Sequence, residues 1–358
     1  MPRSVIPFGP QHPVLPEPLQ LKLVMEDDVV KEALPSIGYV HRGLEKLAEL
    51  KDFNQTIYVV ERVCGICSFM HSMAYARGIE ELMNVQIPER AEYLRVIWAE
   101  LARLQSHLLW LGLMADSFGF ESLFLEVWKN REKVLDIMEM TTGNRIIISA
   151  NRVGGVTKDL TEEHLRAILC TVNELEDSIQ EIEKVFINNY TVKQRTVGIG
   201  VLTKKEAEEY CVVGPVARAS GIAIDLRSTG YGAYKSLDFQ PIVESDGDSY
   251  ARIVVRIREL YQSFDLIRQA IAKLPQGELC VNVKGFPEGS VVSRVEQPRG
   301  EAIYYMTGNN TKNLARLKIR TPTFANIPAL IRMLPGCTLP DVPVLVLTID
   351  PCISCTER

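Results

Sequence analysis

Four cysteines in two pairs are the residues of this sequence best suited to chemistry. Cys64 and Cys67 stand in "RVCGICSFMH" (62–71), with Arg62 just before them and His71 four residues after the second. Cys352 and Cys355 stand in "DPCISC", close to Arg358 at the far end of the chain. One Cys-x-x-Cys can be a redox dithiol, half of a metal site, or two buried thiols. Two such pairs in one intracellular chain favour a four-thiolate metal site, because thiolates are soft anionic donors for zinc, nickel and iron. A structural zinc stays open on this ground. Zinc ribbons, however, usually draw both pairs from one short stretch of chain. Cys170, Cys211, Cys280 and Cys337 have no ligand spacing and read as small buried residues.

Composition narrows the setting. The net charge of −5 shows no basic surplus, which argues against nucleic acid as a partner. The start, "MPRSVIPFGPQHP", has no apolar stretch of the kind a secretory signal needs. No apolar run approaches the roughly 20 residues that span a bilayer. Eight cysteines without a signal peptide suit thiols or metal ligands in the cytoplasm better than a disulfide framework.

The elements that must hold these residues are mostly helical. "LQLKLVMEDDVVKEALP" (19–35) alternates around Asp27 and Asp28 and predicts a β-hairpin. Residues 38–50 have helical spacing, with Leu44, Leu47 and Leu50 on one side. Residues 88–117 form the strongest helix: Pro88 suits its first turn, Glu89 and Glu92 suit its positive end, and its apolar positions cover most of the circumference. Residues 122–143, 161–189 and 248–274 predict further long helices, and "RSTGYGAYKSLDFQ" is a Gly-rich loop between them. Residues 289–308 read as two strands around a turn at Gln297-Pro298-Arg299-Gly300. The expectation is a mainly α (α+β) fold in one domain, 1–358. It has an N-terminal hairpin at 19–35, a helical core at 88–274, and a hairpin with the C-terminal cysteine segment at 289–358.

From residue 7 to residue 358 the sequence resembles the large subunit of nickel–iron hydrogenases, through "RVCGICSFMH" paired with "DPCISC". "PFGPQHPVLPEP" and "CTER" resemble the membrane-bound, energy-converting branch, which is related to the quinone-site subunit of respiratory complex I. The resemblance implies a Ni–Fe centre whose iron carries carbonyl and cyanide ligands. Cys64 and Cys352 would be terminal nickel ligands, and Cys67 and Cys355 would bridge the metals. His71 would hydrogen-bond a bridging sulfur. Arg299, in "EQPRG", would stand over the substrate position, oriented by Asp350 and by Asp116 as a second carboxylate. Glu17, in "LPEP" between Pro16 and Pro18, would take the proton from a terminal cysteine. Glu45, in "HRGLEKL", resembles an acid that supports a magnesium ion, although the relatives' C-terminal histidine ligand is Arg358 here. His12 matches a histidine near quinone in complex I.

The implied reaction is reversible 2H⁺ + 2e⁻ to H₂. No cysteine is left with iron–sulfur spacing, so the implied partners are a small subunit with a [4Fe–4S] cluster and a ferredoxin-like iron–sulfur subunit. Ferredoxin would be the electron partner. Integral membrane subunits would move ions and hold the chain, as a peripheral subunit, on the cytoplasmic side of the membrane. Two ligands so near Arg358 also imply a longer precursor, cut after the metals are in. Two other classes remain: a metal-free quinone-site subunit, and a structural zinc protein.

Overall fold

The computed structural model describes residues 3–13, 15 and 17–358. The chain begins with strands β1 (Arg3–Phe8), β2 (Gln20–Glu26) and β3 (Val29–Ser36). Helices α1 (Leu44–Glu49), α2 (Phe53–Glu61), α3 (Ser68–Leu82), α4 (Glu89–Ser117) and α5 (Glu121–Thr142) follow, then the short strands β4 (Asn151–Arg152) and β5 (Gly155–Val156). Next come α6 (Glu162–Asn188), the short helices α7 (Tyr190–Thr196), α8 (Lys204–Glu209) and α9 (Pro215–Ala219), and the long α10 (Ser249–Ala272). Strands β6 (Glu288–Gln297), β7 (Gly300–Asn309) and β8 (Leu314–Arg320) and helices α11 (Pro322–Met333), α12 (Val342–Thr348) and α13 (Ile353–Glu357) complete the order. The fold is mainly helical with small antiparallel sheets, as the sequence predicts. No helix among the described residues is long and apolar enough to cross a membrane.

The helix α4 runs through the centre, packed against α5 on one side and α10 on the other. Its burial is nearly complete around the circumference, which is what an apolar sequence without a wet stripe requires. On α6 the buried residues Ile168, Val172, Leu175, Ile179, Ile182 and Phe186 recur every three or four positions, so it covers the bundle with one face. Its start is tied by Thr161, whose hydroxyl accepts from the His164 N–H at 3.2 Å while His164 Nδ1 accepts from the Thr161 N–H.

Three expectations need correction. The N-terminal hairpin carries a third strand, β1, and the C-terminal hairpin a third strand, β8. The helix expected at 38–50 is confined to Leu44–Glu49. Before it, the Gly38 and Val40 N–H groups are spent on the Glu357 carboxylate, at 2.6 and 2.5 Å, so they are not available to a helix. Of the cysteines expected to be buried, only Cys337 is; Cys170 and Cys211 are exposed and Cys280 is half-buried. Cys170 lies on the solvent side of α6, where a small residue needs no packing.

Candidate metal centre

Both cysteine pairs sit where a loop enters a helix. Cys67 is the residue before α3, and Cys352 is the residue before α13. These two helix starts face each other, and the four sulfurs meet in the apolar core. Cys64 Sγ lies 3.3 Å from Cys352 Sγ, and Cys67 Sγ lies 3.4 Å from Cys355 Sγ. The ligand atoms of Cys64, Cys67 and Cys355 all fall within 4.8 Å of one another. The N–H groups of Ile66 and Cys67 point at Cys64 Sγ, at 3.2 and 3.4 Å. The hydrogen bond from Cys352, then those from Cys355 and Cys67, hold the Cys64 thiol well below its usual range. Burial, then the sulfurs around it, push Cys355 well above. Four buried sulfurs within reach of one another cannot all ionise without a cation, so any metal held here would have to displace their protons.

The side chains expected around the sulfurs divide into two groups. His71 comes to the site because it lies one turn after Cys67 on α3, with Nε2 at 3.3 Å from Cys355 Sγ. Burial pushes its imidazole down to about 4, so it is neutral. Arg299 occupies the tip between β6 and β7. It donates from Nε to the Asp350 carbonyl at 2.9 Å, from Nη2 to Asp350 Oδ1 at 2.7 Å, and from Nη1 to Ser106 Oγ at 3.1 Å. Burial works against its charge, and the Asp350 carboxylate and the cysteine sulfurs more than restore it. The tip is pressed onto Gly214: a Cβ there would lie 2.3 Å from the Arg299 carbonyl oxygen, and one on Gly300 would lie 2.7 Å from the Gly214 nitrogen. Only paired glycines let the two backbones touch. Glu17 is half-buried and accepts from the Ser354 N–H at 2.9 Å and from the Ser354 hydroxyl. It thus meets the chain between Cys352 and Cys355. Pro16 lies outside the described residues.

Asp116 does not come to Arg299. It is exposed on the last turn of α4, ten residues beyond Ser106 and so about 15 Å further along the helix axis. The apolar stretch before it is core helix, and Asp116 marks where that helix emerges. Glu45 does not fit a magnesium ion either. Its carboxylate accepts from the Ile319 N–H at 2.9 Å, Lys318 Nζ at 2.9 Å and Arg358 Nε at 3.0 Å. Two cations and an N–H already fill the positions where a hard cation needs oxygen ligands. His12 stacks on Phe8, with ring centroids 4.2 Å apart.

Other residues serve the site without any motif to announce them. Arg42 donates to the carbonyls of Arg62 (2.7 Å), Val63 (2.9 Å) and Ser354 (3.0 Å), and so braces both cysteine segments. Tyr304, on β7, places its hydroxyl 2.6 Å from His71 Nδ1. Behind Arg299 lies a buried ionic network. Arg218 bonds Glu259 at 2.8 Å and Glu296 at 2.9 Å, and stands 3.2 Å from Asp225. Arg227 joins Asp225 (2.8 Å) to Glu100 (3.3 Å), and His107 Nε2 lies 2.9 Å from Glu259. Arg103 pairs with Glu100 and donates to the carbonyls of Glu296 and Gln297, at 2.9 and 3.2 Å. Those two residues lead directly into the Arg299 turn, so the network grips the tip that carries the arginine.

Comparison with known proteins gives two family matches. Residues 117–286 and 282–358 match the family described as respiratory-chain NADH dehydrogenase, 49 Kd subunit. Residues 42–115, which include the first cysteine pair, match the nickel-dependent hydrogenase family. Among curated proteins, the membrane-bound hydrogenase subunit alpha of Pyrococcus furiosus is 38% identical over 99% of this chain and 87% of its own length. The carbon monoxide-induced hydrogenase of Rhodospirillum rubrum is 39% identical, with 99% of each chain covered. An NADH-quinone oxidoreductase subunit of Clostridium beijerinckii is 34% identical over 98% of this chain and 96% of its own.

Proposed function

This chain belongs to the family that joins hydrogenase large subunits with the 49-kDa subunits of respiratory NADH dehydrogenases, and on that premise we propose that it is the catalytic subunit of an energy-converting hydrogenase. The reaction is reversible 2H⁺ + 2e⁻ to H₂. The observation that carries the reading is the meeting of four buried sulfurs from opposite ends of the chain, Cys64 with Cys352 at 3.3 Å and Cys67 with Cys355 at 3.4 Å. A coupling subunit without a metal has no need to bury four thiols together, and four soft donors fit nickel and iron.

When bound, a nickel–iron pair with carbonyl and cyanide on the iron would supply the electron chemistry. Cys64, Cys67, Cys352 and Cys355 would hold it through their thiolates. Arg299 keeps a positive charge beside the sulfurs, fixed by Asp350 and Ser106. Glu17 serves the proton at Cys352, from its place on the Ser354 backbone. His71 supplies a hydrogen-bond donor to the Cys355 sulfur. The surrounding apolar core excludes water from these steps.

Electrons pass through partners: a small subunit with a [4Fe–4S] cluster, a ferredoxin-like subunit, and ferredoxin. Integral membrane subunits take up the coupling and hold the chain at the cytoplasmic face. The membrane-bound hydrogenase among the relatives supports this arrangement. A second reading, a metal-free quinone-site subunit, is favoured by the long match to the 49 Kd family and by the NADH-quinone oxidoreductase relative. Metal analysis of the purified complex with a hydrogen assay decides between them. Nickel and iron with hydrogen turnover support the first. Quinone reduction without nickel supports the second, and zinc without iron overturns both.

A further inference from the structure

We propose that Tyr304 is a positioning residue: its hydroxyl donates to His71 Nδ1, keeps the imidazole proton on Nε2, and thereby makes His71 a fixed hydrogen-bond donor to the Cys355 sulfur. Tyr304 is fully buried on β7. Among the described residues its hydroxyl has one hydrogen-bond partner, His71 Nδ1 at 2.6 Å. A phenol keeps its proton at neutral pH, and a buried donor left unpaired is costly. The hydroxyl therefore turns its proton to Nδ1. A neutral imidazole carries one N–H. With Nδ1 accepting, that N–H is on Nε2, which lies 3.3 Å from Cys355 Sγ.

The opposite tautomer fails on both sides of the ring. It sets an N–H against the phenol, whose own proton then has no acceptor among the described residues. Once metal binding takes the Cys355 thiol proton, it also turns the Nε2 lone pair toward the lone pairs of sulfur. The ring has little freedom to escape, because His71 and Tyr304 are both fully buried and pack with centroids 5.9 Å apart, tilted by 60°.

A donor held on a ligand sulfur withdraws electron density from it and tunes any metal it binds. This consequence rests on the proposed metal centre, whereas the tautomer does not. Loss of the Tyr304 hydroxyl should weaken the donor, leave the sulfur more electron-rich, and move the reduction potential of the centre to more negative values.

The test labels the complex with ¹⁵N-histidine and reads the ring-nitrogen resonances of His71, identified by their absence in His71→Gln. Wild-type His71 is expected in the Nε2–H form, at about ten to one or more for an unpaired buried hydroxyl in the alternative. Tyr304→Phe keeps the ring and, read in the metal-free complex where the Cys355 thiol can donate as well as accept, should leave a mixture of tautomers. A wild-type proton on Nδ1 overturns the proposal whether or not the variant folds, and so does a Phe variant with its tautomer unchanged. In the metal-loaded complex, a potential that stays put in Tyr304→Phe overturns the tuning role. Because the nitrogen resonances are read with or without nickel, failure of the proposal and failure of the hydrogenase reading remain distinguishable.

Discussion

Glu17→Gln separates two roles that the structure gives to one carboxylate. Glu17 accepts two hydrogen bonds from Ser354, one from the N–H at 2.9 Å and one from the hydroxyl, and so ties down the start of α13. Glutamine keeps an accepting oxygen for the Ser354 N–H and turns its NH₂ to the hydroxyl, which can accept as well as donate. The charge assistance is lost at a half-buried position, which costs about 1 kcal/mol of stability. That loss leaves most of the protein folded and would barely change turnover if capping were the only role. A proton relay predicts far more: hydrogen/deuterium exchange should fall by a factor of about 10² or more, or about 2.7 kcal/mol on the barrier, with nickel and iron still bound. Ser354→Ala is the control. It removes the hydroxyl bond but leaves the carboxylate, and should cost about 1 kcal/mol with exchange near the wild-type rate. Wild-type exchange by Glu17→Gln, or an equal loss in Ser354→Ala, would refute the relay.

Cys64→Ser should abolish hydrogen turnover and nickel loading, because a hydroxyl is a harder and far less acidic ligand; metal analysis beside activity reads both. Arg218→Met should destabilise the chain by about 3–5 kcal/mol, since it removes the cation that Glu259, Glu296 and Asp225 share in a fully buried site; denaturant unfolding measures it. Arg358→Ala should lower the unfolding midpoint through loss of the Glu45 pair, while added magnesium should leave the wild-type midpoint unchanged. Burial, then the neighbouring Asp225 charge, push Glu296 up to about 7, against about 4.3 unfolded. The native state therefore keeps a proton that the unfolded chain gives up, so this contribution is complete below about 4.3 and is lost as pH rises through about 7; urea midpoints that rise between pH 6 and 8 would contradict it.

The long helices were legible because their signals are local. The helices α4, α5, α6 and α10 each pair a cap or charged first turn with sustained apolar spacing, and their bounds fall within a residue or two of the expectation. The helix α3 gave no such signal. "SFMHSMAYARGIEEL" is buried nearly all round, so it has no wet face to set a period. The strand β1 contains Pro7, and β8, "LARLKIR", is broken by charge, so neither has the clean alternation of β2 or β6. In the site, the Cys-x-x-Cys spacing is a local fact, and the pairs could be found. Arg42, Ser106 and Tyr304 take their parts from residues 20 to more than 200 positions away, and no local pattern marks such a contact. The expectation for Asp116 failed for the same reason: adjacency to an apolar run says nothing about which residue stands opposite Arg299.

One long-range feature did leave a mark that could have been read. Glu100, Arg103 and His107 recur at spacings of three and four along α4, inside a stretch that is mostly apolar from Leu94 to Met114. On an exposed helix such a stripe faces water. On a helix apolar around the rest of its circumference it must instead face partners, because isolated charges are not buried. Glu100 pairs with Arg103 on its own helix and with Arg227, and His107 meets Glu259, which Arg218 joins in turn. The network they form ends on the backbone of Glu296 and Gln297, one step from Arg299. A charged stripe in the long, buried central helix is thus the local trace of what holds the arginine beside the four sulfurs.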